Sequence, residues 1–150
     1  MCARTQSAII QNIKDVLEHK TQKTNQKRIR KGETIMVNVG IIGAGRIGQV
    51  HMNSILTRVP NAKIKAVADP FLSEEADKKA KAAGAEYTTK DYKDILADKD
   101  IDAVIICSST DTHSPISIEA IKAGKHVFCE KPIDHDVDKI KEVIKTLEGT

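Results

Sequence analysis

The chain has 150 residues, which is enough for one domain with a buried core. Its three cysteines lie far apart in the sequence, which excludes a disulfide framework and a zinc site. No apolar run is long enough to span a bilayer and no signal peptide is visible, so we expect a soluble protein of the reducing cytoplasm without a membrane partner.

The formal net charge of +3 comes from residues 1–35 alone, because this leader holds eight Lys and Arg against three Asp and Glu while the remainder holds sixteen against eighteen. One face of a short amphipathic helix is formed by Ile9, Ile13, Val16 and Leu17. Residues 19–33 contain one apolar side chain, so most of the leader is predicted to be disordered.

Three interpretations of this basic leader are open: a nucleic-acid or membrane tail, a targeting peptide, and sequence without a selected role. Asp15 and Glu18 argue against a mitochondrial presequence, and no aromatic residue interleaves the basic ones as in a single-strand binder. Residues 31–33 can be encoded as a bacterial ribosome-binding sequence shortly before Met36. Our hypothesis is that Met36 is the native start, that residues 1–35 are not part of the native protein, and that no nucleic acid is bound.

Residues 37–69 organise the rest of the chain. An apolar run over residues 37–42 predicts a buried strand, and a glycine-rich turn that opens a helix follows it. A second predicted strand, residues 64–69, ends on Asp69 about 20 residues later, the spacing that is typical of a dinucleotide-binding fold. A glycine turn without any ligand is the alternative.

Each position of the turn, Gly-Ala-Gly-Arg-Ile-Gly, has a physical role in that fold. Gly43 allows the tight turn, Gly45 lets the backbone approach a pyrophosphate, and Gly48 lets the helix pack close to the strand. The helix N-terminus at Arg46 and Ile47 offers unpaired N–H groups and a positive dipole end to the phosphates.

Asp69 predicts which dinucleotide is bound. Its carboxylate can accept hydrogen bonds from the adenosine ribose and would repel a 2′-phosphate, and no Arg follows it at residues 70–72. The sequence therefore predicts NAD rather than NADP as the cofactor.

Helix and strand patterns alternate over residues 47–101. The first helix should end before Pro60 and turn Ile47, Val50 and Ile55 toward the sheet. His51 in that helix is interpreted as a packed histidine, with a catalytic role as the alternative. The second helix is predicted from an N-cap at Ser73 to a stop at Gly84, and a strand over residues 86–88 and a helix over residues 91–96 follow.

A continuous apolar run over residues 102–107 predicts a strand that is buried on both faces beside the first strand. The polar residues 108–113 would then open at the topological switch point, where α/β sheets bind ligands. We predict that the cofactor's ribose and nicotinamide contact Ser108, Ser109, Thr110 and His113. An ordinary polar loop is the alternative. The next helix is predicted to begin at Ser114 as N-cap with Pro115 in the first position.

The strand predicted at residues 126–129 ends in Glu130-Lys131-Pro132, which brings two charges to the same edge of the sheet. Together with the glycine turn, Asp69 and the segment 107–113, this motif resembles the N-terminal half of the glucose-fructose oxidoreductase, inositol dehydrogenase and MocA (Gfo/Idh/MocA) family. The resemblance runs from Met36 to about Leu147, and residues 105–138 are similar in particular to bacterial inositol 2-dehydrogenases.

The resemblance implies that Lys131 lies beside the nicotinamide and hydrogen-bonds the hydroxyl being oxidised, that Glu130 helps to hold the ribose side, and that a cis peptide precedes Pro132. A partly desolvated ammonium suits this role, because it stabilises developing alkoxide charge while hydride leaves for the cofactor. Without the resemblance, the Glu-Lys pair would be interpreted as a surface ion pair.

We therefore predict that residues 36–150 form an NAD(P)-binding α/β domain, a Rossmann-type doubly wound parallel sheet with strand order 3-2-1-4-5. A last helix would place Val137, Ile140, Ile144 and Leu147 on one face. The family continues with a sixth strand and a C-terminal α/β domain that binds the polyol. The chain is thus expected to be truncated before them and inactive alone on inositol, and no metal site is expected. A stand-alone NAD-binding or regulatory module and a sugar dehydrogenase of the same family are the alternatives.

Overall fold

The structure is a computed structural model that describes residues 36–149, so the predictions for the basic leader lie outside the described residues. Strands and helices alternate along the described chain. Their bounds are β1 Val37–Ile42, α1 Arg46–Arg58, β2 Ala62–Ala68, α2 Glu74–Ala82, β3 Tyr87–Thr89, α3 Tyr92–Ala97, β4 Ala103–Ile106, α4 Thr110–Lys122, β5 His126–Cys129 and α5 Val137–Glu148.

The strands form one parallel sheet in the order β3-β2-β1-β4-β5, which confirms the predicted doubly wound topology. β1 lies in the middle and pairs with β2 on one side and β4 on the other. Successive strands are added on one side of β1 up to β3 and on its other side from β4 onward. The loops that leave the carboxyl ends of β1 and β4 therefore diverge and open a crevice. A shift of register between Val39 and Gly40 leaves Lys65 as the extra residue of β2.

Two apolar clusters cover the two faces of this sheet. On one face Ile41, Val67 and Ile105 pack against Met52 and Ile55 of α1. A second cluster contains Ile42, Ala66, Val104, Ile106 and, from α4, Ile116 and Ala120. Because neighbouring residues of β1 and β4 enter opposite clusters, these strands bury apolar side chains on both faces, as expected for parallel strands inside a sheet. Each fully buried isoleucine contributes roughly 1.5 to 3 kcal/mol.

Two helices differ from their prediction. α1 buries His51 and Met52 while Val50 is only half-buried, so the buried face is turned relative to the predicted one. α4 begins at Thr110 with Ser109 as N-cap, and the predicted N-cap Ser114 was wrong. Pro115 therefore sits in the sixth helical position, which removes the hydrogen bond that its N–H would have made to the carbonyl of Asp111.

Smaller differences concern the ends of elements. β2 begins two residues before its predicted start, β3 lies one residue later than predicted, and Asp91 is the N-cap of α3. The apolar side chains of α5 that were predicted on one face stay largely exposed at Val137, Ile144 and Leu147. Among residues 36–149, no helix has the length and apolar character needed to cross a membrane.

Candidate dinucleotide site

The glycine turn joins three elements at very close range. Gly43 has φ +104°, and a Cβ there would lie 2.6 Å from backbone atoms of Cys107 and Ser108. A Cβ on Gly48 would lie only 2.0 Å from the carbonyl oxygen of Gly43. Both positions therefore require glycine, because the turn, α1 and the loop after β4 approach one another through backbone atoms.

Gly45 lies in a different environment from the other two glycines. It is the N-cap of α1 in an extended conformation, and a Cβ built there would meet nothing within 4 Å. No side chain caps the helix at this end. The first-turn N–H groups of α1, including those of Arg46 and Ile47, are the ones that a helix leaves without an internal partner. An open space beside such groups suits an anion, and a diphosphate fits these residues.

A second helix also begins at this place without a side-chain cap. The N-cap of α4 is Ser109, whose side chain makes no capping hydrogen bond, whereas α2, α3 and α5 are capped by side chains from Ser73, Asp91 and Asp136. The neighbouring hydroxyls of Ser108 and Thr112 lie 2.7 Å apart and bond to each other. Both uncapped helices belong to the switch point between β1 and β4.

A cavity of about 580 Å³ opens at this edge of the sheet, which is within the usual size range of ligand sites. Five of the predicted site residues line it: Gly43, Gly45, Asp69, Ser108 and Ser109. The structure thus brings the glycine turn, Asp69 after β2 and the serines 108–109 after β4 to one cavity.

Asp69 is half-buried and has a structural task that the sequence did not indicate. Its Oδ2 accepts a hydrogen bond from Ala44 N–H at 2.8 Å, and its Oδ1 accepts one from Phe71 N–H at 2.8 Å. The carboxylate therefore braces the glycine turn against the end of β2. Each carboxylate oxygen can accept more than one hydrogen bond, so both keep capacity for ribose hydroxyls.

The polar residues 108–113, predicted to contact the cofactor, differ in whether they line the cavity. Ser108 and Ser109 line the cavity, whereas Thr110 begins α4 and does not line it. His113 is 2% exposed, with Nδ1 2.8 Å from the Pro132 carbonyl oxygen and Nε2 3.1 Å from the Ser108 carbonyl oxygen. The side chain of His113 is thus engaged with the backbone on both sides.

The cavity also contains residues that sequence reasoning missed. Thr112 and Ile116 line it because they follow Ser109 at helical spacing, which was hidden by the wrong start of α4. Phe71 lines it from the loop after β2 and Tyr92 from the start of α3 after β3, and the rule that carboxyl ends of strands meet at one edge could have indicated them. Burial, together with the hydrogen bond from Tyr92 to Glu119, raises the pKa of the Tyr92 phenol.

The Glu130-Lys131-Pro132 segment follows β5 at the same edge but does not line the cavity. Glu130 Oε1 lies 2.7 Å from His51 Nε2, and Glu130 Oε2 accepts a hydrogen bond from the Lys131 backbone N–H at 3.3 Å. The Lys131 side chain is exposed, and the Lys131–Pro132 peptide is cis, as the resemblance implied.

The remaining reactive side chain near the glycine turn is the thiol of Cys107. Burial raises its pKa to about 12, so the thiol stays protonated and is not a nucleophile. Its Sγ donates weakly to the Gly43 carbonyl oxygen at 3.4 Å. Within the described part of the chain, no three His, Cys, Asp or Glu side chains are grouped so that they could hold a metal ion.

The open glycine at an uncapped helix, the acid after β2 and the cavity at the switch point define a dinucleotide-binding domain. The chain belongs to the GFO_IDH_MocA oxidoreductase family, whose NAD-binding Rossmann-fold model matches residues 37–150. NAD is therefore the cofactor of this domain.

Several relatives with known names or structures are similar to this chain. An uncharacterized oxidoreductase, YrbE of Bacillus subtilis, is 44% identical over 111 residues, which are 74% of this chain and 32% of that protein. Inositol 2-dehydrogenase of Rhizobium meliloti is 43% identical over 114 residues, 76% of this chain and 33% of that enzyme.

Among solved structures, scyllo-inositol dehydrogenase from Lactobacillus casei with bound NAD(H) and scyllo-inositol superposes with a TM-score of 0.71 at 35% identity, covering 76% of this chain and 33% of that one. The chain thus spans about a third of the length of the relatives it matches.

Proposed function

We propose that this chain is the NAD-binding part of an oxidoreductase that moves hydride from a polyol hydroxyl to NAD, with an inositol as the substrate. The observation that carries the cofactor half of the proposal is the open position at Gly45 in front of the uncapped α1. The polyol half rests on the similarity to inositol dehydrogenases. Two unpaired thiols in residues 36–149, Cys107 and Cys129, support the cytoplasm as the compartment.

The residues at the diphosphate end would act mainly through the backbone. Gly43 and Gly48 hold the turn against α1, Gly45 leaves room for the diphosphate, and the N–H groups of Arg46 and Ile47 donate to it. This arrangement needs no cationic side chain, because the helix N-terminus itself attracts the anion.

The ribose and nicotinamide ends would be bound by side chains and by the start of α4. Asp69 accepts hydrogen bonds from the adenosine ribose and disfavours a 2′-phosphate. Ser108 and Ser109 offer hydroxyls to the nicotinamide half, and Thr110 offers its backbone N–H at the uncapped start of α4. His113 would act indirectly, because its Nε2 holds the Ser108 carbonyl oxygen in place.

Bound NAD supplies the hydride acceptor of the reaction. Lys131 would donate a hydrogen bond to the reacting hydroxyl oxygen and stabilise the alkoxide as it forms. An ammonium has no lone pair, so it cannot also accept the hydroxyl proton. We propose that the general base and the groups that position the polyol lie outside residues 36–149. A missing base alone lowers rates by roughly 10² to 10⁴.

The experiment is a titration of the 150-residue chain with NAD and NADP by calorimetry, together with an assay of NADH formation from myo-inositol and scyllo-inositol. We expect NAD binding that is tighter than NADP binding, and no turnover. Turnover within about tenfold of a full-length relative would overturn the placement of the base, and an absence of NAD binding would overturn the proposal itself.

A further inference from the structure

Two buried histidines hold the two neighbours of Lys131. His51 of α1 is 1% exposed and contacts the Glu130 carboxylate at 2.7 Å through Nε2. His113 of α4 is 2% exposed and contacts the Pro132 carbonyl oxygen at 2.8 Å through Nδ1. Lys131 is thus the exposed residue between two anchored ones, and its anchors come from different helices.

We propose that His51 is a positioning residue for Lys131. It fixes the Glu130 carboxylate, and that carboxylate in turn accepts the backbone N–H of Lys131. His51 lies one turn after Gly48 on α1, the helix whose N-terminus faces the diphosphate site. The contact therefore ties the end of β5 to the same rigid helix that receives the cofactor. The inference rests on the proposed role of Lys131 beside the nicotinamide.

The hydrogen-bond partner of His51 shows which ring nitrogen carries the proton. A carboxylate only accepts, so Nε2 is the nitrogen that carries the proton toward Glu130. His51 Nδ1 is buried and has no hydrogen-bond partner among the described residues, so a proton there would be an unsatisfied buried donor. The ring packs edge-on against Phe128 of β5 at a centroid distance of 5.5 Å, which fixes its orientation.

Burial makes this contact stronger than a surface ion pair. The side chain of His51 is 1% exposed and that of Glu130 is 18% exposed, so water competes poorly for the hydrogen bond. One carboxylate oxygen of Glu130 is held by His51 and the other accepts the Lys131 backbone N–H, so this carboxylate links α1 directly to Lys131. The arrangement therefore suits a brace for the lysine.

His113 forms the second anchor from the other side. Its Nε2 contacts the Ser108 carbonyl oxygen and its Nδ1 contacts the Pro132 carbonyl oxygen. The ring therefore joins the segment after β4 to Pro132, the residue that follows Lys131. Together the two histidines attach residues 130–132 to α1 and α4, the two helices that begin at the cavity.

The test uses NMR relaxation of the 150-residue chain to measure backbone order at Lys131. His51→Leu removes the donor, His51→Gln keeps an N–H near the position of Nε2, and Glu130→Ala removes the carboxylate. Met52→Ala is the matched control, because Met52 is the adjacent buried residue of α1 and packs in the core instead. We expect an order parameter near 0.85 at Lys131 in the unaltered chain and below about 0.6 in His51→Leu and Glu130→Ala.

The controls separate positioning from general loss of stability. His51→Gln and Met52→Ala should leave Lys131 ordered, and Phe128 should stay ordered in every folded variant. Lys131 remaining ordered in both His51→Leu and Glu130→Ala would overturn the proposal, as would loss of order in His51→Gln. If His51→Leu does not fold, Glu130→Ala alone decides, because Glu130 is partly exposed.

Addition of NAD to the unaltered chain tests the proposed function separately. The amide signal of Lys131 should shift when NAD binds. If NAD binds and this signal does not move, the placement of Lys131 beside the nicotinamide fails while the order parameters still decide whether His51 positions it.

Discussion

The two halves of the sheet build their parts of the site by different means. In the half formed by β1, α1 and β2, the turn is held by backbone contacts and by Asp69, only 25 residues from its partner Ala44. In the half formed by β4, α4 and β5, the lysine segment is held by side chains, and His51 reaches Glu130 across 79 residues of sequence. The first half is a local motif, whereas the second depends on long-range packing.

The largest effect on stability is expected in the first half, at Gly48. In Gly48→Ala the new Cβ would meet the Gly43 carbonyl oxygen at 2.0 Å, and neither backbone can yield easily. We expect a loss of about 3 kcal/mol in the free energy of unfolding, measured with urea. Gly45→Ala is the control, because its Cβ meets nothing within 4 Å. Equal stability of the two variants would contradict the close packing of the turn.

The next effect concerns the acid of the same half. Asp69→Ala removes the acceptor for the ribose and also the brace to Ala44 and Phe71. We expect NAD to bind about 10- to 150-fold more weakly by calorimetry, which corresponds to the roughly 1.5 to 3 kcal/mol of a hydrogen bond to a charged group. Unchanged affinity would show that Asp69 serves the turn alone.

A milder change should redirect the cofactor preference. Asp69→Ser combined with Pro70→Arg removes the charge that repels a 2′-phosphate and adds a guanidinium that can pair with it bidentately. We expect the ratio of NAD to NADP affinity to move toward NADP. Titrations of both cofactors that leave this ratio unchanged would refute the assignment.

The smallest effect is expected in the second half, where the stabilisation by the Asp134 carboxylate should depend on pH. The Ser114 hydroxyl and the Asp136 N–H donate to the buried Asp134 carboxylate and lower its pKa. Because the folded-state pKa lies below the unfolded one, this stabilisation is present above about pH 4 and is lost as the pH falls further. Ser114→Ala should therefore lower stability to urea at pH 7 and much less near pH 3. An equal difference at both pH values would contradict the role of Asp134.

Local sequence signals predicted most of the fold. The glycine turn, the apolar runs of β1, β4 and β5 and the cap at Ser73 fix their elements through short-range chemistry, and the strand order follows from right-handed crossovers. The wrong start of α4 has the same origin, because Ser114-Pro115 is a good local signal for an N-terminus. The packing of α4 against the sheet overrides that signal, and the helix begins at Thr110.

The site was less visible in the sequence. Gly45 and Asp69 could be predicted because their spacing is fixed by one strand, one turn and one helix. The partnership of His51 with Glu130 could not, since no pattern in either segment indicates which distant side chain it will meet. Phe71 and Tyr92 were missed although they follow the carboxyl ends of β2 and β3, which meet at the edge of the sheet where the cavity opens.

The central claim is that NAD binds at the open position in front of α1, and Gly45→Val tests it most directly. The substitution places a side chain where the structure has empty space, at a backbone conformation that valine adopts readily. We predict that calorimetry detects no NAD binding while the free energy of unfolding stays within about 1 kcal/mol of the unaltered chain. NAD binding to a folded Gly45→Val variant with unaltered affinity would contradict the account.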